Sequence, residues 1–181
     1  SKMMNKSYDV IIIGGGPAGI LCAAAIKEKS KEFVNVTIVE RLEKIGKKIL
    51  ATGNGKCNFT NKNLHPKKYS NGKFVTPTLS TYGYREIIEY LESIGLLSKE
   101  ISEGRMYPYT ESATTVLEVM RIHLNRLGVN IKTNYEVNKV TFREGKYLVY
   151  NRNERNSYLE CDYLVFACGG AAAPVLGSNG S

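Results

Sequence analysis

Long apolar runs are missing from this chain. Its most hydrophobic stretches, such as Val10–Ile13, are a few residues long, whereas a helix crossing a bilayer needs about 20 apolar residues. No cationic leader with an apolar centre and a small-residue cleavage site stands at the start, so a cytoplasmic protein without a membrane partner is expected. Histidine is scarce, with 2 residues, and cysteine numbers 4. Cys22, Cys57, Cys161 and Cys168 form no CxxC pair and the histidines no HxxxH pair, so neither a metal site nor a dithiol redox centre is expected. Thiols scattered in this way suit a reducing compartment. A mononucleotide P-loop ending at Gly55-Lys56 would need glycine at position 50 and serine or threonine at 57, where the chain has Leu50 and Cys57. No G-x-S-x-G nucleophile elbow is present, which argues against a hydrolase. Internal repeats, low-complexity segments and domain linkers are also lacking.

What remains is an ordinary globular composition. The chain has 181 residues, 43% hydrophobic and 23% charged, enough to bury roughly 70% of its unfolded surface without disulfides. The formal net charge of +8 is concentrated between Arg41 and Lys68, where eight basic residues face a single acid, Glu43. That stretch reads either as a solvated lysine-rich loop or as a surface for an anionic cofactor or a nucleic acid. Only Phe59 and Tyr69 interleave its lysines, a poor supply of stacking platforms, so nucleic acid is the weaker reading.

Hydrophobic periodicity places the elements. Tyr8–Ile13 is unbroken and rich in isoleucine, the pattern of a strand buried on both faces. A glycine cluster, Gly14-Gly15-Gly16-Pro17-Ala18-Gly19, leads into a helix over Ile20–Lys29, and Val34–Val39 forms the next strand, ending at Glu40. Lys47–Thr60 holds a second glycine-rich segment, expected as loop over Thr52–Asn58, and the polar stretch from Asn61 to Pro77 is expected as loop too. Helices are expected over Tyr84–Ile94, ended by Gly95, and over Ala113–Leu127, ended by Gly128. After a short strand at Val129–Lys132 the period changes to two: a hairpin turning at Glu144-Gly145 and a third strand over Ser157–Cys161 make a three-stranded antiparallel meander. Tyr163–Ala167 is again an unbroken apolar strand. The expected fold class is α/β, Rossmann-like, with a parallel sheet, helices and this meander.

A lone GxGxxG is a weak signal, but here a buried strand precedes it, a helix follows, and Glu40 lies 26 residues after Gly14 at the end of the next strand. In such a dinucleotide fingerprint Gly14 allows the tight turn, Gly16 admits a pyrophosphate against the backbone, and Gly19 allows close helix–strand packing. The helix N-terminus offers N–H groups and partial positive charge to the phosphates. Glu40 can accept the hydroxyls of an adenosine ribose and disfavours NADP. The residues themselves leave NAD and FAD open. Cys22 and Cys161 read as packing residues.

Five motifs add a resemblance. Gly14–Gly19 resembles the opening of the two-dinucleotide-fold flavoproteins, and Leu164–Gly170 resembles their later ATG motif, with Cys168 where threonine is usual. Gly46–Asn61, Gly-Lys-Lys-Ile-Leu-Ala-Thr-Gly-Asn-Gly-Lys-Cys-Asn-Phe-Thr-Asn, closely resembles the GRKLLxSGGGRCNxTN signature of the BaiN-like, aminoacetone-oxidase-type FAD-binding flavoproteins. Gly104–Pro108 and Gly177–Gly180 fit that family's GRxFP and GSxG elements. The resemblance implies FAD lying across the sheet. Gly14, Gly16, Pro17, Ala18 and Gly19 would meet the pyrophosphate, and Glu40 and Arg41 the adenosine ribose. Lys48, Thr52, Gly53, Asn54, Gly55, Cys57 and Asn58 would run towards the flavin. The backbone of Val137 would hold the adenine, and Ala167, Cys168 and Gly169 would close over the cofactor. It further implies an FAD-dependent oxidoreductase that passes hydride to or from flavin N5, with a small-molecule substrate such as an amine and NAD(P)H or oxygen as redox partner. Catalytic acid/base residues are not assignable from these motifs. Family members are about twice this length, so residues 1–181 are expected to be an N-terminal FAD-binding portion without the substrate domain or the segment that closes the flavin site. Two other readings stay open: an NAD-binding dehydrogenase domain and a flavin-containing nucleic-acid-binding protein.

Overall fold

A computed structural model describes residues 7–30, 33–46, 54–59, 79–97, 109–167 and 175–176, with 54–59, 79–84, 109–113 and 175–176 described by backbone alone. The expected loop at 61–77, the segments Gly104–Pro108 and Gly177–Gly180, and Lys48, Thr52, Gly53, Cys168 and Gly169 lie outside the described residues.

The chain opens with β1 (Ser7–Ile13), α1 (Pro17–Lys29) and β2 (Phe33–Val39). β1 and β2 pair in parallel, Val10 opposite Val36, so α1 is the crossover of a βαβ unit. α1 starts three residues before the expected Ile20 because Pro17, whose fixed φ suits a first helical position and whose missing N–H costs nothing there, begins it. Next come β3 (Asn54–Phe59), β4 (Leu79–Gly83), α2 (Tyr84–Ser93) and α3 (Tyr109–Arg126). Then follow β5 (Asn130–Lys132), β6 (Val137–Arg143), β7 (Lys146–Asn151), β8 (Tyr158–Cys161), β9 (Tyr163–Phe166) and β10 (Val175–Leu176).

Six strands form one sheet in the order β4-β3-β9-β1-β2-β5. β9, β1, β2 and β5 are parallel, and β3 and β4 extend the β9 edge in antiparallel fashion. This corrects the expected loop over Thr52–Asn58, whose described part is strand. Asparagine and glycine favour turns in isolation, but the backbone of Val165 and Phe166 at the β9 edge needs partners, and Phe59 and Asn58 supply them. The expected meander is present as β6-β7-β8, turning at Glu144-Gly145, both with positive φ. The two-residue β10 adds a parallel strand to its β6 edge.

β1 shows why its sequence is apolar throughout. Val10 and Ile12 join α1, Ile87 and Leu91 of α2, and Val116, Met120 and Leu124 of α3 in one core cluster. Ile11 and Ile13 join Val140, Tyr147, Val149 and Cys161 of the meander in another. Helices cover one face of the sheet and the meander covers the other, so successive β1 side chains are buried on opposite sides. Away from the strands' carboxyl ends, the Tyr90 hydroxyl donates to Glu28 and lies 2.9 Å from His123 Nε2, joining the three helices. Asp162 Oδ2 accepts the Asp9 N–H at 2.8 Å, which ties the meander to β1. Leu124 is fully buried on α3, so Leu124→Ala is expected to destabilise the fold by about 2–5 kcal/mol, read as a lower denaturant midpoint with an unchanged m-value.

Candidate functional site: the glycine turn at the carboxyl ends of the strands

Among the parallel strands, β2 and β5 lie on one side of β1 and β9, reached through the meander, lies on the other. The direction of strand addition reverses at β1. In open α/β sheets the crevice at such a reversal, outside the carboxyl ends of the strands, is where ligands bind. The Gly14–Gly19 turn lies there.

Each glycine of the fingerprint has its own physical reason. Gly14 has φ 114°, a conformation that L side chains rarely adopt, and its N–H donates to Val39 O at 2.9 Å. Gly16 is extended, with φ −82° and ψ −173°, and caps α1 without a side chain. A Cβ built there meets nothing within 4 Å. The first intrahelical bond runs from Ile20 N–H to Gly16 O at 3.0 Å, which leaves the N–H groups of Ala18 and Gly19 without intrahelical acceptors. A Cβ on Gly19 would sit 1.9 Å from Gly14 O and 3.3 Å from Ile12 Cγ2. Helix, turn and strand therefore approach too closely for any side chain at that point, in keeping with the packing role read from the motif.

Glu40 follows β2 and is only 9% exposed. Its main chain is anchored on both sides: its N–H donates to Lys132 O, and its carbonyl accepts the Tyr135 N–H, each at 2.8 Å. Its carboxylate accepts the Gly15 N–H at Oε1 (3.1 Å) and the Leu42 N–H at Oε2 (2.9 Å). Two backbone donors therefore fix the carboxylate beside the glycine turn, and each oxygen keeps lone-pair capacity for a ligand. Arg41 and Lys44 are exposed just beyond it. Tyr135, whose hydroxyl donates to Val149 O at 2.6 Å, is pushed up to about 12 chiefly by burial. It stays neutral and holds the 133–136 connection against the meander. Val137, half-buried at the start of β6, follows two residues later.

Ala167 follows β9 beside the turn, its N–H donating to Ile13 O at 2.8 Å. β3 places Asn58 opposite Phe166. Continuing that antiparallel register sets Cys57 level with Ala167 and carries Gly55 and Asn54 past the carboxyl ends of the strands. The fold thus gathers Gly14, Gly16, Pro17, Ala18, Gly19, Glu40, Arg41 and Ala167 at one end of the sheet, with the β3 backbone extending beyond the same end. Val137 joins them through Tyr135 and Glu40. Cys22 and Cys161 are buried, and burial pushes the Cys161 thiol well above its usual range, as suits packing residues. Among the described residues no group of three His, Cys, Asp or Glu side chains could hold a metal, and no helix is long and apolar enough to cross a membrane.

The chain belongs to the HI0933-like protein Rossmann domain family. The family model matches residues 8–181. Within the wider group, the chain is 38% identical over 172 residues to the 3-dehydro-bile acid delta(4,6)-reductase of Clostridium scindens, covering 94% of this chain and 41% of that protein. It is 30% identical over 179 residues to the ribosomal RNA dihydrouridine synthase of Haemophilus influenzae, covering 97% and 44% respectively. The chain therefore spans less than half the length of these curated relatives. Among solved structures it is similar to the bacillithiol disulfide reductase Bdr (YpdA) of Staphylococcus aureus, with TM-score 0.49 and 18% identity over 91% of this chain and 39% of that one.

Three residues of the HI0933-like Rossmann site had escaped the sequence reading. Gly15 donates to Glu40 and accepts the Gly46 N–H at 2.6 Å, Leu42 donates to Glu40, and Ile45 packs on Gly15. The middle glycine of the three, Gly15, was visible in the sequence. Its reason, a side chain thirty residues away, was not.

Proposed function

We propose that this chain is the dinucleotide-binding portion of an FAD-dependent oxidoreductase. The observation that carries the reading is the open space at Gly16, set against the first turn of α1 and beside a carboxylate held by two backbone N–H groups. A pyrophosphate fits that cradle because it can approach the backbone to hydrogen-bond distance and meet the positive end of the helix. Gly14, Gly16, Pro17, Ala18 and Gly19 hold the pyrophosphate, while Glu40 and Arg41 hold the adenosine ribose. The backbone at Val137 faces the adenine. Lys48, Thr52, Gly53, Asn54, Gly55, Cys57, Asn58, Ala167, Cys168 and Gly169 follow the cofactor towards its ring. The flavin supplies hydride transfer when bound, and this chain's part is to bind and orient it. Relatives named as a reductase and as a dihydrouridine synthase support an oxidoreductase. We assign it a small-molecule substrate, with NAD(P)H or oxygen as redox partner.

Glu40→Ala is the direct test. A charge-assisted hydrogen bond is worth about 1.5–3 kcal/mol, so the dissociation constant for FAD should rise roughly ten- to a hundredfold. Titration of FAD into the apoprotein, read by flavin fluorescence, gives the number, and a change under about twofold would remove Glu40 from the ribose site.

A second reading, an RNA substrate, is favoured by the ribosomal RNA dihydrouridine synthase relative together with the basic stretch from Arg41 to Lys68. A gel shift with ribosomal RNA decides between the two. Salt-sensitive binding that weakens when Lys67 and Lys68 are replaced by glutamate favours RNA, and no shift at low salt favours the small molecule.

A further inference from the structure

The second position of the G-x-G-x-x-G fingerprint carries no requirement for glycine. This chain has Gly15 there, and its φ lies outside the positive range found at Gly14 and Gly46, so backbone conformation does not demand glycine either. The contacts do. A Cβ on Gly15 would come 2.7 Å from Ile45 Cγ2, 3.0 Å from Ile45 Cβ and 3.3 Å from Glu40 Cβ.

Ile45 belongs to a short segment, 41–46, that leaves Glu40 and folds back over the turn. The segment is fastened at several points. The Leu42 N–H donates to Glu40 Oε2, Leu42 O accepts the Asn134 N–H at 2.9 Å, and the Gly46 N–H donates to Gly15 O at 2.6 Å. Gly46 has φ 75°, and a Cβ there would meet Leu117 Cδ2 of α3 at 2.7 Å. The segment is thus wedged between the glycine turn and α3, and Ile45 packs against the helix-side core.

We infer that Ile45 is a positioning residue for the dinucleotide: as part of a strap from Arg41 to Gly46, it presses on Gly15 and sets the turn so that the Gly15 N–H meets Glu40 and the Gly16 backbone stays open. The inference rests on the reading of this turn as the FAD pyrophosphate site. Ile45 acts through Gly15 and Glu40 and makes no contact of its own with the cofactor. Complementarity between positions 15 and 45 explains the middle glycine of the three consecutive ones, and a larger residue at 15 requires a smaller one at 45.

The test is a mutant cycle on the full 181-residue chain, measuring FAD affinity by titration at a temperature where circular dichroism shows each variant folded. Gly15→Ala should weaken FAD binding at least about tenfold, because overpacking displaces the turn. Adding Ile45→Ala removes the Cγ2 and should bring affinity back to within about threefold of Ile45→Ala alone. Adding Ile45→Val keeps a methyl at the Cγ2 position and should not rescue. A residue with only a structural role would change melting temperatures without this pattern in affinity. Should Gly15→Ala alone fail to fold, the two double variants still decide: FAD binding by the Ile45→Ala double but not by the Ile45→Val double supports the strap. Equal behaviour of the two doubles, or wild-type affinity in Gly15→Ala, overturns it while leaving the FAD reading intact. Absence of FAD binding by the unaltered chain overturns both.

Discussion

Gly16→Val should leave the protein folded and unable to hold FAD. Most glycine substitutions in a tight turn are ambiguous, since loss of ligand can follow from loss of fold. Gly16 avoids that ambiguity. Its φ of −82° and ψ of −173° lie in the extended region open to valine, and a Cβ there touches nothing within 4 Å. The branched side chain projects into space that the structure leaves open and that a pyrophosphate needs in order to reach the helix N–H groups. The expected result is a melting temperature within about 2 °C of the parent, as for a surface change, with FAD affinity reduced beyond measurement. Retained flavin binding in a normally folded Gly16→Val chain would show that the ligand does not pass over this turn, and the proposed function would fall with it.

Gly19→Ala should do the opposite, removing the fold before any ligand is considered. The added methyl would lie 1.9 Å from the Gly14 carbonyl oxygen, far inside contact distance. That carbonyl belongs to the turn joining β1 to α1, where the Gly14 N–H is already committed to Val39 O. Nor can α1 retreat cheaply, because its Ile20, Ala23 and Ala24 are buried in the core shared with α2 and α3. Overpacking of this severity falls among the exceptional single substitutions, about 4 kcal/mol or more. In a domain of this size that corresponds to a melting temperature lower by roughly 10 °C or more. Thermal unfolding without FAD measures it. A drop of less than about 3 °C would mean that helix and strand are less tightly joined at Gly19 than the structure shows.

These two glycines are three residues apart in one motif and are expected to fail for unrelated reasons. The motif predicted the difference, and the structure supplies its magnitudes: open space at one, 1.9 Å at the other. Local pattern was informative wherever a residue's environment follows from its near neighbours. The unbroken apolar run of β1 reported burial on both faces, the paired turn residues Glu144-Gly145 reported a hairpin, and Gly95 and Gly128 marked where helices end. Polar, glycine-rich Asn54–Phe59 misled for the converse reason. Its strand exists because the β9 edge offers hydrogen-bonding groups, and β9 lies about a hundred residues further along the chain.

By itself the sequence determined the βαβ unit, the meander, the glycine turn and the acidic residue beside it, because each rests on periodicity or on spacing within some thirty residues. Tertiary structure alone decided that the meander, and not a second layer of helices, covers the far face of the sheet. It also decided that β3 and β4 extend the sheet at β9 and that Glu40 is held by the N–H groups of Gly15 and Leu42. The need for glycine at position 15, which the fingerprint leaves open, comes from Ile45. Side-chain contacts between segments distant in sequence leave no periodic trace in either segment, since each residue is compatible with many partners until the fold selects one.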